Sequence, residues 1–229
     1  MSSAEIGRGW RAVARAIDHT LLKPEATREA ISKLCQEALE YGFCAVCVQP
    51  SQVALVRRLL DSSGVKTASV IGFPQGATLT TAKRFEAAEV VRLGAQELDM
   101  VINVGALKSG DHVYVRNDIR AVAEVTHAGG AILKVIIEAA LLTKDEKGLA
   151  CELAVAAGAD FVKTSTGFGG GGATVEDVAL MRSVVGPNVG VKASGGIRTA
   201  ADAIAMLKAG ANRLGTSGSV GIVKEISNL

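Results

Sequence analysis

Three lysines stand where lysines are costly. AILKVII carries Lys134, ADFVKTS carries Lys163 and NVGVKAS carries Lys192, each within a run that otherwise reads as a buried β-strand. The gaps from 134 to 163 and from 163 to 192 are both 29 residues. An ammonium in an apolar strand loses hydration, so it needs either a partner or a task. A lone strand lysine is usually ion-paired or snorkels to the surface. Three at matched positions on neighbouring strands point to chemistry, because crowded, partly desolvated ammonium groups depress one another's pKa. An amine free of its proton near neutral pH attacks carbonyl carbon and forms an imine. The protonated imine withdraws electrons and stabilises an adjacent carbanion.

Protons must be moved around such an imine. Asp99, in ELDMVIN, is the best-placed carboxylate. The same geometry would serve a counter-ion of Lys134 or Lys163, so the acid/base and ion-pair readings both stand. Its neighbour Glu97, near the start of that strand, is expected to face the other end. Further polar residues late in a strand or just after it are Asp18, His19, Thr20, Cys47, Asn103, Glu138, Thr164, Thr166, Ser194 and Ser217.

After Lys163 the chain dissolves into glycine. GFGGGG at 167–172 matches G-x-G-x-x-G, the dinucleotide fingerprint, but the acidic ribose partner expected about 20 residues further on is replaced by Lys192. ASGGIRT (193–199) and LGTSGS (214–219) follow, each just before a helical stretch. Three hydroxyl-bearing glycine loops in succession favour a phosphate group held by backbone N–H groups and helix N-termini. Metal chemistry has little to work with. Only His19, His112 and His127 are available, and no H-x-H, H-E-x-x-H or carboxylate triad occurs.

The elements that must position these groups alternate strand and helix eight times. Strand runs lie at 16–22, 43–49, 67–73, 97–103, 131–137, 161–165, 189–193 and 213–217, each followed by a stretch with apolar residues at helical spacing. Helices stop at glycine in EYG, RLG, AAG and KAG, while Thr27 and Thr174 suit N-caps. Eight βα units without a long linker predict one closed (β/α)8 TIM barrel over 1–229, with a short extra N-terminal helix. An open doubly wound sheet fits eight parallel strands less well at this length. Active sites of such barrels sit at the C-terminal ends of the strands.

Bulk properties bound the rest. Lys plus Arg number 25 against 23 Asp plus Glu, and aromatics are 3% of the 229 residues, so no nucleic-acid footprint is present. No apolar run reaches the roughly 18 residues that span a bilayer. The N-terminus carries Arg8, Arg11 and Arg15 but also Glu5 and no cleavage region, which suits a basic first helix and a cytoplasmic protein. Of the cysteines Cys35, Cys44, Cys47 and Cys151, only Cys44 and Cys47 form a C-x-x-C. An offset of three in a strand sends them to opposite faces, so neither a disulfide nor a shared metal is expected.

Taken together, IDHTLLKP, SVIGFP, ELDMVIN, LKVIIE, DFVKTSTGF, VKASGGIRT and LGTS resemble the deoxyribose-phosphate aldolases, class I enzymes that work through a lysine Schiff base without cofactor or metal. The resemblance covers essentially the whole chain. It implies that Lys163 forms the Schiff base, that Lys192 lowers its pKa or relays protons, and that Asp99 donates and accepts protons through water. Lys134 would orient Asp99 and the substrate hydroxyls, with Thr20, Cys47, Thr164 and Thr166 lining the pocket. Gly167, Gly195, Gly196, Arg198, Gly215 and Ser217 would bind phosphate. Some members carry a lysine directly after TSTG, where this chain has Phe168. Substrates would be a phosphorylated sugar and aldehydes, and the protein a homo-oligomer, dimer or tetramer. The competing readings are another sugar-phosphate barrel enzyme, which as an isomerase leaves three lysines unexplained, or a barrel that binds a phosphorylated ligand without turning it over.

Overall fold

Alternation of side chains with period two decides what each strand offers to its two faces, and here both faces are buried. The computed structural model describes residues 9–228. Eight parallel strands close in sequence order: β1 (Ile17–Leu21), β2 (Ala45–Val48), β3 (Lys66–Ile71), β4 (Glu97–Val101), β5 (Ile132–Ile136), β6 (Phe161–Lys163), β7 (Gly190–Ser194) and β8 (Arg213–Thr216). Closure pairs Ile17 with Leu214 and Asp18 with Gly215. Seven strands are shorter than the run expected from sequence, while β7 keeps the expected length and is shifted one residue toward the C-terminus.

Helices wrap the outside. Those that follow the strands are α2 (Arg28–Tyr41), α3 (Val53–Leu59), α4 (Thr80–Arg92), α5 (Val104–Lys108), α6 (His112–Ala128), α7 (Lys144–Ala156), α8 (Val175–Val185), α9 (Ala200–Lys208) and α10 (Ser219–Ser227). Thr27 and Thr174 cap α2 and α8 by accepting the N–H groups of Ala30 and Asp177. The extra helix α1 (Trp10–Ala14) buries Val13 and Ala14 and packs on α10. Glu5 and Arg8 of the basic N-terminal segment lie outside the described residues.

Outward-facing Ile17, Val46, Leu98, Met100, Leu133, Val162 and Leu214 join the helices in one apolar core. Inward-facing residues divide in two. β2 and β3 contribute Ala45, Cys47, Ala68 and Val70, a small apolar wall. The other strands turn charged side chains inward.

Candidate active site

Asp99 is the hub of that charged interior. Its Oδ1 accepts a hydrogen bond from Lys134 at 2.8 Å, and its Oδ2 accepts from Lys163 and Lys192, each at 2.7 Å. Lys192 also donates to Asp18. Lys134 reaches Glu97 at 2.7 Å and lies 3.7 Å from Asp18. Arg213 closes the lower side, bonding Asp18 at 2.6 Å and Glu97 at 2.8 Å. All three lysines and Asp18 and Asp99 are essentially inaccessible to solvent.

Strand register explains the layout. Lys163 pairs with Lys192, so these two share a level. Lys134 pairs with Phe161, two residues before Lys163, so despite the equal spacing of 29 residues Lys134 sits one layer deeper. Glu97 does not face the other end, contrary to expectation. It stands two residues before Asp99, and residues two apart in a strand share a face, so both point into the barrel. Asp18, Glu97 and Arg213 are the members of the network to which the sequence alone gave no role.

Mutual depression of three lysines is also corrected. Burial works against the charge of Lys134, but Asp99, Glu97 and Asp18 outweigh it and hold the amine above its ordinary value. The same contest, with Asp18 and Asp99 as partners, raises Lys192. At Lys163 burial wins: with the Lys192 ammonium added, it lowers the amine despite Asp99. Burial penalises the Asp99 carboxylate too, yet Lys134, Lys163 and Lys192 hold it well below the usual range. Asp18 is likewise lowered, its burial overcome by Lys192, Lys134 and Arg213.

Above the network opens a cavity of about 430 Å³ at the C-terminal ends of β1, β6, β7 and β8. Of the interior lysines only Lys163 lines it. The expected phosphate-loop residues Gly167, Gly195, Gly196, Arg198, Gly215 and Ser217 all lie in its wall, as do Thr20 and Thr166. Glycine is required where these loops meet. Gly195 has φ +83°, and a Cβ on Gly172 would stand 2.4 Å from the Gly195 carbonyl oxygen. A Cβ on Gly215 would come within 3.0 Å of the Lys192 side chain, so its absence lets Lys192 run beneath the loop. The α9 N-terminus is closed by the Thr199–Asp202 capping box, whereas the α10 N-terminus, beside Ser217, has no side-chain cap.

Two expected pocket residues do not line this cavity. Thr164 is fully buried; its hydroxyl donates to the Ser194 carbonyl and accepts the Ser194 N–H, fastening β6 to β7. Cys47 is fully buried on the apolar wall, and that burial pushes its thiol up to about 11. Cys44 precedes β2, and both cysteines are free. Thr166 is held by Glu138, whose carboxylate accepts both its N–H and its hydroxyl. Glu138 adopts φ +53°, a conformation that costs a non-glycine residue about 1–2 kcal/mol. Phe168 is exposed and packs edge-on against Phe73 with ring centroids 5.4 Å apart. Lys23, directly after the expected strand run 16–22, also lines the cavity.

His19 points outward, its ring nitrogens 2.8 Å from Ser219 and from Glu37, a satisfied core histidine. His127 bonds Asp160 on the outer surface. Among the described residues no group of three His, Cys, Asp or Glu side chains is placed to hold a metal ion, and no helix is long and apolar enough to cross a membrane.

A closed parallel barrel with a desolvated amine at the floor of a cavity walled by glycine loops defines an aldolase-type barrel. Residues 12–223 match the DeoC/LacD family aldolase. The chain is 62% identical to a deoxyribose-phosphate aldolase of Thermococcus gammatolerans, over 94% of this chain and 97% of that protein. It is 59% identical to one of Halalkalibacterium halodurans, over 93% and 95% respectively. Among solved structures, a putative deoxyribose-phosphate aldolase from Coccidioides immitis superposes with a TM-score of 0.92 at 47% identity, covering 96% of this chain and 87% of that one. The Aeropyrum pernix enzyme, described as a unique tetramer, gives 0.89 at 36% identity, covering 98% and 97%. The chain belongs to the DeoC/LacD family of aldolases.

Proposed function

We propose that the protein reversibly cleaves 2-deoxy-D-ribose 5-phosphate to D-glyceraldehyde 3-phosphate and acetaldehyde, with Lys163 forming the Schiff base. One observation carries this assignment of the lysine. Lys163 is the interior lysine that lines the cavity, and it is the one whose amine is lowered rather than raised. The relatives at about 60% identity supply the substrate class.

The open-chain sugar presents its C1 aldehyde to the neutral Lys163 amine. Addition and loss of water give the iminium. Acetaldehyde holds two of the five sugar carbons, so the bond that breaks joins C2 to C3. A proton leaves the C3 hydroxyl, the C2–C3 electron pair moves toward the iminium, and D-glyceraldehyde 3-phosphate departs. The enamine left on Lys163 is protonated at C2 and hydrolysed to acetaldehyde. Asp99 takes and returns the proton through water. When Lys163 loses its proton, one of three cations holding Asp99 ionised disappears, and its basicity rises. Lys192, bonded to Asp99 and level with Lys163, relays protons between them. Lys134 orients Asp99 from below.

The β6, β7 and β8 glycine loops hold the phosphate through backbone N–H groups. Arg198 and Lys23 supply charge at the mouth in place of the lysine that some relatives carry at the Phe168 position. Thr20 and Thr166 face the sugar, while Cys47 and Thr164 shape the pocket from behind its wall. The same reading takes residues 1–229 as one aldolase domain working in the cytoplasm without a cofactor, as a homo-oligomer, dimer or tetramer; the tetrameric relative supports the last point. Acetaldehyde release from the phosphorylated sugar, followed by coupled reduction, tests the assignment. Turnover abolished by Lys163→Leu is expected, and turnover surviving that change would overturn it.

A further inference from the structure

Among the described residues the barrel interior holds four cations, Lys134, Lys163, Lys192 and Arg213, against three carboxylates, Asp18, Glu97 and Asp99. We infer that Arg213 keeps this interior one positive charge in excess, and that the excess is relieved by loss of the proton from Lys163. The inference rests on Lys163 being the Schiff-base lysine. It makes Arg213, which lies outside the cavity wall, a positioning residue that sets the charge state of the nucleophile.

A desolvated cluster tolerates net charge poorly, so an unbalanced set discharges one member. Arginine does not lose its proton in a protein, so a lysine must. Lys134 touches Glu97 and Asp99 and lies near Asp18. Lys192 touches Asp18 and Asp99. Lys163 touches Asp99 alone, and shares that oxygen with Lys192. Its proton is therefore the cheapest to remove. Arg213 itself occupies Asp18 and Glu97, carboxylates that would otherwise be free to neutralise lysines. Its guanidinium also lies 5.6 Å from the Phe161 ring centroid, which fixes it on the floor of the barrel.

β1 turns Asp18 inward, β2 turns Cys47, β4 turns Glu97 and Asp99, β5 turns Lys134, β7 turns Lys192 and β8 turns Arg213. The inward residues of β3, Ala68 and Val70, carry no charge. The Cys47 thiol, raised by burial, stays neutral near pH 7 and does not alter the balance. Cys44, beside Arg213, is raised by burial in the same way.

The test reads the acid limb of kcat/KM against pH for cleavage of 2-deoxy-D-ribose 5-phosphate, which reports deprotonation of the nucleophile in the free enzyme. Arg213→Met balances three cations with three carboxylates, so Lys163 keeps its proton. The limb is expected to move up by about one pH unit or more, with roughly tenfold loss on the acid side of the parent limb that is regained at higher pH. Glu97→Gln raises the excess and moves the limb down. The double variant restores an excess of one and returns the limb toward the parent. A purely structural arginine would scale kcat/KM by one factor at every pH. Should Arg213→Met fail to fold, Glu97→Gln decides, and a limb that stays in place there overturns the inference. Borohydride trapping of acetaldehyde on Lys163 in the parent protein separates the two readings. With no adduct the Schiff-base assignment fails; with an adduct and immobile limbs, only the role of Arg213 fails.

Discussion

The two faces of β4 carry alternate residues only about 3.3 Å of strand rise apart, yet their chemistry has nothing in common. Leu98 and Met100 point outward into the apolar core, while Glu97 and Asp99 point inward among lysines. Burial on the outer face is non-directional and grows with area, at about 25 cal/mol per Å². Such a face accepts any residue of suitable size and holds the barrel together. The inner face is directional and charge-counted, because each buried ion is stable only against a specific partner. The outer face sets stability, and the inner face sets reactivity at some cost in stability.

Lys163→Leu should break the comparison most sharply on the inner side. Activity is expected to fall by at least about 10³-fold, since the nucleophile is gone. The fold should persist, because Asp99 keeps Lys134 and Lys192; steady-state rates and a melting curve check both points. On the outer face, Leu98→Ala should do the reverse. It is expected to cost about 2–5 kcal/mol of stability, read by denaturant unfolding, with kcat nearly unchanged.

Acid should act through the inner face. The folded pKa values of Asp18 and Asp99 are depressed, so the unfolded chain binds protons that the folded one refuses. The stability they contribute is therefore fully present above the unfolded value of about 3.9 and is lost as pH falls below it toward the folded values. A melting temperature measured from pH 7 to pH 3 should drop steeply below about pH 4. In Asp99→Asn that acid slope should be shallower, from a lower starting stability. At the mouth the effects are smallest. Lys23→Ala should raise KM for the phosphorylated sugar by about 2–5-fold, the worth of one exposed charge contact, while kcat on unphosphorylated deoxyribose is kept. Phe168→Lys should lower that KM by a similar factor.

The outer face was largely legible in the sequence. Hydrophobic periodicity and glycine stops locate eight βα units, and residue type alone exposes Lys134, Lys163, Lys192 and Asp99. What escaped is set by register and closure. Arg213 meets Asp18 across 195 residues of chain, a contact made only when β8 pairs with β1. In sequence Arg213 is only the start of a strand, and the position of Glu97 at a strand start hides that period two places it beside Asp99. The hydroxyl type of Thr164 suggests a pocket group, yet Ser194 claims it from the neighbouring strand. Long-range partners, not local pattern, decided each of these.

The central claim is that the lysine with the fewest carboxylates is the nucleophile. Borohydride reduction in the presence of acetaldehyde, followed by peptide mapping, tests it directly. An ethyl adduct confined to Lys163, and absent from Lys163→Leu, is the predicted result. An adduct on Lys134 or Lys192, or none in folded protein, would contradict it.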